Sequence, residues 1–198
     1  MSEVERTPPM ISTEQMIALH GFLAEAAAEG ESELSEISGC ETEVEVREIR
    51  CTPLGRFGEE GLRLSEDLVA GVMGRMEGAL PGSLAGVLEP EEALRWARIG
   101  GGDDPLETFV RLGRTLLAGI AAALGEILGS PAPLHSPRLV EQPELTMLFR
   151  THAPPETWVL SARLGIRSGD VTLPAQTHLL IEPKNFARLL SALSTAGR

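Results

Sequence analysis

The amino-acid sequence predicts an α+β fold, with two long helices packed side by side on a largely antiparallel sheet. Three observations predict it. Two segments of helical length, 12–38 and 104–129, each carry one apolar stripe behind a capping signature. Segments of strand length follow each of them, the last two joined by a hairpin turn at Arg167-Ser168-Gly169-Asp170. The order of features also repeats. Leu34, Ile37 and Gly39 recur as Leu124, Ile127 and Gly129 at an offset of 90 residues, and Glu89-Pro90 recurs as Glu182-Pro183 at an offset of 93. A near-constant offset of ordered features reads as a duplicated unit. It implies one domain over 12–198, with pseudo-repeats at about 12–103 and 104–198, behind a polar tail of residues 1–11.

Each element has a local reason. Thr7-Pro8-Pro9 cannot start a helix, so the first start signal is Ser12 with Gln15 three residues on. Behind it Met16, Leu19, Leu23, Ala26, Gly30, Leu34 and Ile37 follow at three- and four-residue intervals, and Gly39 stops the helix. Residues 42–49, TEVEVREI, alternate as a strand does, with a slip between Val46 and Ile49 that implies a bulge or the strand's end. Residues 53–60 read as a loop. Residues 62–76 and 83–88 read as strands, the first weakened by its glycines. Glu89-Pro90 opens a helix that buries Ala93, Leu94, Trp96, Ala97 and Ile99. Gly100-Gly101-Gly102 breaks the chain. Asp104-Pro105-Leu106-Glu107 then starts the second long helix, with Phe109, Leu112, Leu116, Ile120, Leu124 and Ile127 as its stripe. Residues 137–142, 145–150, 157–166 and 171–181 read as strands. Glu182-Pro183 opens a last helix with Phe186, Leu189, Leu190 and Leu193 inward.

Composition bounds the function. A chain of 198 residues buries roughly 70% of its extended surface on folding, enough for a core without disulfides. Apolar residues at 42% and charged residues at 23% exclude wholesale disorder. Seventeen basic residues against 29 acidic give a net charge of −12. That balance excludes the basic footprint of a nucleic-acid binder and attraction to an anionic membrane. The longest uncharged apolar stretch, 115–125, is too short to span a bilayer, and MSEVERTPP has no apolar signal core. The expected location is therefore the cytoplasm. Cys40 and Cys51 form neither a disulfide framework nor a zinc pattern, and His20, His135, His152 and His178 are scattered. No metal and no cofactor are expected. Gly100 to Asp104 lacks the lysine of a phosphate loop and reads as a turn ending in a helix cap. Trp96 and Trp158 read as core or interface anchors.

The two long helices are rich in Ala and Gly, LHGFLAEAAAEGESELSEISG and VRLGRTLLAGIAAALGEILG. A strand follows each, ETEVEV and PRLVEQ, and THLLIEP runs into an amphipathic helix. In these segments and their order, over residues 12–195, the chain resembles the CheC/CheX/FliY chemotaxis phosphatase family. The resemblance implies a CheC/CheX-like fold and an activity, removal of phosphate from the aspartyl-phosphate of the response regulator CheY. The signature of that family is Glu-x-x-Asn near the start of one or both long helices. The spacing sets acid and amide one turn apart on one face. The amide orients a water in line with phosphorus and the acid pairs with a lysine of the regulator, which is catalysis by positioning. At the matching positions this chain has Gly21 and Ala24 in the first helix, and Leu112 and Thr115 in the second. A frame shifted by one residue gives Arg111 and Arg114. No frame supplies an acid and an amide together. Glu182-Pro183-Lys184-Asn185 has the spacing but opens the short last helix, where an acid near the positive helix end is an ordinary entry.

Two charged groups stand out as candidate binding residues. Glu25, Glu29, Glu33 and Glu36 form a stripe beside the apolar face of the first helix. It is either a docking strip for a basic surface or a solvated face, and it would repel a regulator's acidic phosphorylation pocket. Arg111 and Arg114 lie where the resemblance places a phosphate-facing site. They could hold an anion or an acidic protein, or pair with Glu107. The expected function is a noncatalytic binding or adaptor module in bacterial chemotaxis, motility or two-component signalling. Its expected partner is a protein: a CheY-like receiver, another signalling or motility protein, or a second copy of the chain. One alternative is an active aspartyl-phosphate phosphatase, using Thr115 with an acid from another element. The other is a structural component like those of the flagellar switch.

Overall fold

The computed structural model describes residues 11–62, 69–99, 103–142, 149–150 and 153–196. Ser12 caps α1 (Thr13–Ser38) through the expected box. The Ser12 hydroxyl accepts from the Gln15 N–H at 3.1 Å, and the Gln15 side chain accepts from the Ser12 N–H at 2.8 Å. Gly39, at φ 70°, closes the helix in the left-handed conformation that a side chain disfavours. β1 (Thr42–Pro53) follows, and its register slips between Val46 and Glu48, which is the expected bulge. Residues 53–60 are more ordered than a loop. They form a 3-10 turn (Leu54–Arg56) and a single-turn α2 (Phe57–Glu60), because Leu54 and Phe57 are both fully buried.

β2 (Val69–Met76) and β3 (Gly82–Leu88) form a hairpin ladder, and residues 63–68 of the longer expected strand lie outside the described residues. α3 (Pro90–Ile99) buries Ala93, Trp96 and Ala97, a spacing of three and four, while Leu94 points outward and is half exposed. The Asp104 carboxylate caps α4 (Pro105–Ile127), accepting from the Leu106 and Glu107 N–H groups at 2.9 and 3.2 Å. Gly100-Gly101-Gly102 lies outside the described residues. β4 (Leu134–Gln142), β5 (Trp158–Ser168), β6 (Val171–Ile181) and α5 (Pro183–Ala196) complete the chain. The strand expected over 145–150 is not what its last residues form. Phe149 and Arg150 are helical, Phe149 is fully buried, and 145–148 lie outside the described residues.

The six strands run β1-β5-β6-β3-β2-β4, every neighbouring pair antiparallel. Exchanging β1, β2 and β3 for β4, β5 and β6 returns the same order reversed, so the topology is pseudo-two-fold. Alternation along the strands gives the sheet two apolar faces. On one, Val44, Val46, Val72, Leu84, Leu160, Leu164, Leu173 and Leu179 pack under α1, α3, α4 and α5. On the other, Val69, Met73, Ala85, Val87, Val159 and Leu180 pack under Leu54, Phe57 and Phe149. Trp158 belongs to the first core and stacks on Phe186 of α5, with ring centroids 4.5 Å apart.

α4 lies against the sheet at Gly113. A Cβ there would stand 2.6 Å from Val72 Cγ2. The helix can sit at this depth only because the side chain is missing.

His178 sits in the far-face core, completely buried, its ring edge-on to Phe57 and Phe149 at 5.5 and 5.2 Å. Its Nδ1 is hydrogen-bonded to the Ser161 hydroxyl at 2.9 Å. Burial pushes the imidazole down to about 3. In the unfolded chain it titrates near ~6.5. Between those values the unfolded chain binds a proton that the folded one refuses, so stability falls as pH falls from about 6.5 toward 3. The slope is at most ~1.4 kcal/mol per pH unit. Denaturant unfolding should therefore show a loss of about 2 kcal/mol between pH 6.5 and 5. His178→Leu should flatten that dependence. An equal slope in wild type and variant would mean that His178 is not its source.

Candidate functional site

The resemblance directs attention to the outer faces of α1 and α4. The two helices run antiparallel: Thr115 of α4 meets Glu33 of α1, and Gly119 meets Ala26. A Cβ on Gly119 would lie 3.2 Å from the Ala26 carbonyl oxygen, so small residues set this close approach.

The positions matching the family signature fall on different sides. On α1, Gly21 is exposed and Ala24 half-buried, and neither has a group that could bond a water. On α4, Leu112 is fully buried and Thr115 is 7% exposed, so this pair faces into the fold. The residues that face outward on the same turns are Arg111 and Arg114. Among the described residues neither arginine forms an ion pair, with Glu107 or with any other acid.

The glutamate stripe divides. Glu25, Glu29 and Glu36 are exposed and form no ion pair among the described residues. Glu33, exposed as well, differs in that its Oε1 accepts from the Thr115 hydroxyl of α4 at 3.1 Å. Thr115 thus has an acid partner on another element, which the spacing of neither helix alone reveals.

Sequence reasoning missed a second use of α1. β1 is an edge strand, and three α1 side chains bond its backbone. Ser35 Oγ accepts from the Thr42 N–H at 2.9 Å, Glu31 Oε1 accepts from the Val44 N–H at 2.8 Å, and His20 Nε2 lies 2.9 Å from the Val46 carbonyl oxygen. These contacts occupy backbone groups that would otherwise offer a pairing edge. The four- and eleven-residue spacings of 20, 31 and 35 put them on one helical side, a signal that means something only once the strand's position is known.

The other singled-out residues are structural. Asn185 of the Glu182-to-Asn185 motif is buried, and its amide donates to the Pro81 carbonyl at 3.4 Å, while Glu182 pairs with Lys184 at 2.8 Å. Burial pushes the Cys51 thiol up to about 12, which makes it a poor nucleophile. Cys40 lies beside the Ser38 and Ser168 hydroxyls. His20, His135 and His178 lie on separate elements, and His152 is outside the described residues. The described residues contain no group of three His, Cys, Asp or Glu side chains placed to hold a metal. α4 is long and apolar enough to cross a membrane, but 67% of its most apolar window is buried in the fold, as in a core helix.

A cleft of about 500 Å³ opens on the far face of the sheet, lined by Arg75, Ser83, His135, Arg138, Thr157 and Glu182 among others. Its charges are mixed: Glu77 lies 3.9 Å from Arg75 and 3.7 Å from His135. Among the described residues that line it, no nucleophile is hydrogen-bonded to a base.

The fold is that of FliY, the FliM middle domain and CheX. FliY from Thermotoga maritima superposes with a TM-score of 0.73 at 14% identity, covering 94% of this chain and 99% of that one. The FliM middle domain from H. pylori gives 0.66 at 13% identity, covering 92% and 99%. A chain of the CheX-CheY-BeF3-Mg+2 complex from Borrelia burgdorferi gives 0.50 at 14% identity, covering 82% and 97%. No protein-family model matches the chain, and no curated protein matches it in sequence.

The Glu33–Thr115 bond can be measured. A partly buried hydroxyl given to a carboxylate contributes about 1 kcal/mol. Thr115→Val should lower the unfolding free energy by that amount, and Glu33→Gln, which keeps an acceptor, by less. A double-mutant cycle in denaturant that finds zero coupling would dismiss the bond.

Proposed function

We propose that the chain is a noncatalytic protein-binding module of the chemotaxis and flagellar-switch kind, docking a partner through the outward faces of α1 and α4. One observation carries this reading. The signature positions are either side chains without a water-binding group, Gly21 and Ala24, or side chains turned into the core, Leu112 and Thr115. The same helices keep exposed charges at Glu25, Glu29, Arg111 and Arg114 that form no ion pair among the described residues. The likeness to FliY, FliM and a CheX seen with CheY supports a setting in bacterial motility or chemotaxis, in the cytoplasm, with a receiver or switch protein as partner.

A second reading, a phosphatase for the aspartyl-phosphate of a CheY-like regulator, is favoured by the Thr115–Glu33 contact at 3.1 Å. Against it, the Thr115 hydroxyl is buried and already gives its proton to Glu33. Losing one preorganised donor typically costs about 3 kcal/mol of barrier lowering. Release of phosphate from a phosphorylated CheY-like receiver should accordingly proceed at its unassisted rate when the chain is present at catalytic concentration. A clear acceleration abolished by Thr115→Val and Glu33→Gln would establish the phosphatase instead.

The docking surface has its own test. Complementary exposed charges act mainly on association rate and register, and salt screens them. Glu25→Lys with Glu29→Lys should weaken binding to the native partner at low salt and leave folding within ~0.5 kcal/mol of wild type. Unchanged binding by a folded double variant would assign those glutamates to a solvated face. Sizing of the captured complex separates a one-to-one adaptor from a self-assembling switch component.

A further inference from the structure

We propose that the cleft on the far face of the sheet binds a small molecule with a phosphate or carboxylate head and an apolar body. Arg75, Arg138, His135 and Ser83 receive the head, and Met73 and Leu180 receive the body. At about 500 Å³ the cleft has the size of an ordinary small-molecule site. It lies on the opposite face of the sheet from α1 and α4, so it stands apart from the docking surface.

Strand pairing gathers the residues for the head. Met73 of β2 belongs to the far-face core, so Arg75, two residues on, faces the same way. The cross-strand neighbours of Arg75 are Ser83 of β3 and His135 of β4. Arg138 lies opposite Met73, one diagonal step from Arg75. His135 and Arg138 are three residues apart, and a regular strand would send them to opposite faces. A bulge brings them to one face. Where the register slips, two residues of β4, Ser136 and Pro137, stand against one of β2, Gly74. Ser136 takes φ 48° there, and no other non-glycine residue among those described has a positive φ. The chain thus holds an unfavourable backbone conformation at the place where it joins two basic side chains to a third.

Like charges side by side repel, and the cleft offsets them poorly. Glu77 is shared between Arg75 at 3.9 Å and His135 at 3.7 Å, both beyond hydrogen-bond length. Glu182, across the cleft, is occupied by Lys184 at 2.8 Å. Arg138 forms no ion pair among the described residues. With His135 neutral, Arg75 and Arg138 against Glu77 leave one positive charge, on a chain whose net charge is −12. A bound oxyanion supplies the missing acceptor. Arginine forks fit two oxygens of a carboxylate or phosphate, and the Ser83 hydroxyl is a further donor. Beside them Met73 and Leu180 form an apolar floor, and Pro81 and Pro154 also line the cleft. A basic rim next to an apolar floor suits an amphiphilic molecule better than a bare ion.

The test is a titration of the full chain with phenyl phosphate, benzoate, inorganic phosphate and phenol, followed by two-dimensional NMR. Phenyl phosphate or benzoate should saturate and shift the Arg75 and Arg138 Nε–H, His135 ring and Met73 methyl signals. The tighter of the two identifies the head. Inorganic phosphate should bind at the same arginines about tenfold more weakly than phenyl phosphate, because it leaves the floor uncovered. Phenol, which has no oxyanion, should not bind. Arg75→Gln and Arg138→Gln should each raise the dissociation constant about tenfold. Both arginines are exposed, so these variants should fold as the wild type does. Arg95→Gln, on α3 against the other face, should leave the constant unchanged. Absence of saturable binding, an equal loss in Arg95→Gln, or shifts centred on Arg111 and Arg114 would overturn the proposal. Inorganic phosphate binding as tightly as phenyl phosphate would overturn it too, since the floor would then take no part.

Discussion

α4 has close neighbours on three sides, and at each the contact distance is set by a missing side chain. A Cβ on Gly113 would strike Val72 of the sheet at 2.6 Å, one on Gly119 would press the Ala26 carbonyl of α1 at 3.2 Å, and one on Gly125 would meet the Ala132 nitrogen at 2.9 Å. Six-residue steps turn about 240° around a helix axis, so three such glycines address three directions. Each weakens the helix intrinsically by roughly 1 kcal/mol relative to alanine. Burial on several sides offsets that loss: Phe109, Leu112, Leu116, Leu117, Ile120 and Leu124 all lie in the main core. The arrangement fixes the depth of α4 and its rotation about its own axis. The position of α1 and the identity of the outward residues follow from it.

The parts of this fold that the sequence made legible are those with local causes. The Ser12 and Asp104 caps, the bulge after Val46 and the turn at Gly169 each depend on a few adjacent residues, and each stands where the sequence placed it. The misreadings have long-range causes. Residues 53–60 read as a loop because Leu54 and Phe57 acquire meaning only against Phe149 and Val159, about a hundred residues away. Leu94 read as buried because a run of apolar residues on a short helix hides which of them faces the sheet. The His178 ring was indistinguishable in sequence from a surface imidazole, since nothing near it announces two phenylalanine edges.

The candidate site shows the same division. The residue types at Gly21, Ala24, Leu112 and Thr115 were plain, and with them the lack of an acid and amide together. Which α4 frame meets solvent was not, because adjacent positions differ by only ~100° around the axis. Glu33 and its acceptor role toward Thr115 were hidden for another reason. The contact joins residues 82 positions apart and exists only because Gly119 and Ala26 bring the helices together. Glu31 looks like one more surface acid until the edge of β1 is beside it.

The rotation of α4 also bears on what its surface can do. For Leu112 and Thr115 to reach an incoming protein, the helix would have to turn by roughly a full residue step, about 100°. That turn would drive Gly113, Gly119 and Gly125 off their three contacts and bring Cβ-bearing neighbours into spaces only glycine fits. Arg111 and Arg114 on α4, and Glu25 and Glu29 on α1, therefore stay exposed in fixed positions. Arginine at one-turn spacing supplies forked cationic donors, suited to carboxylate or phosphate on a partner surface, and no hydrogen-bond acceptor for an attacking water. With the acids a helix away and α1 held to the β1 backbone by Ser35, Glu31 and His20, the outward charges of both helices rest on packing that resists rearrangement.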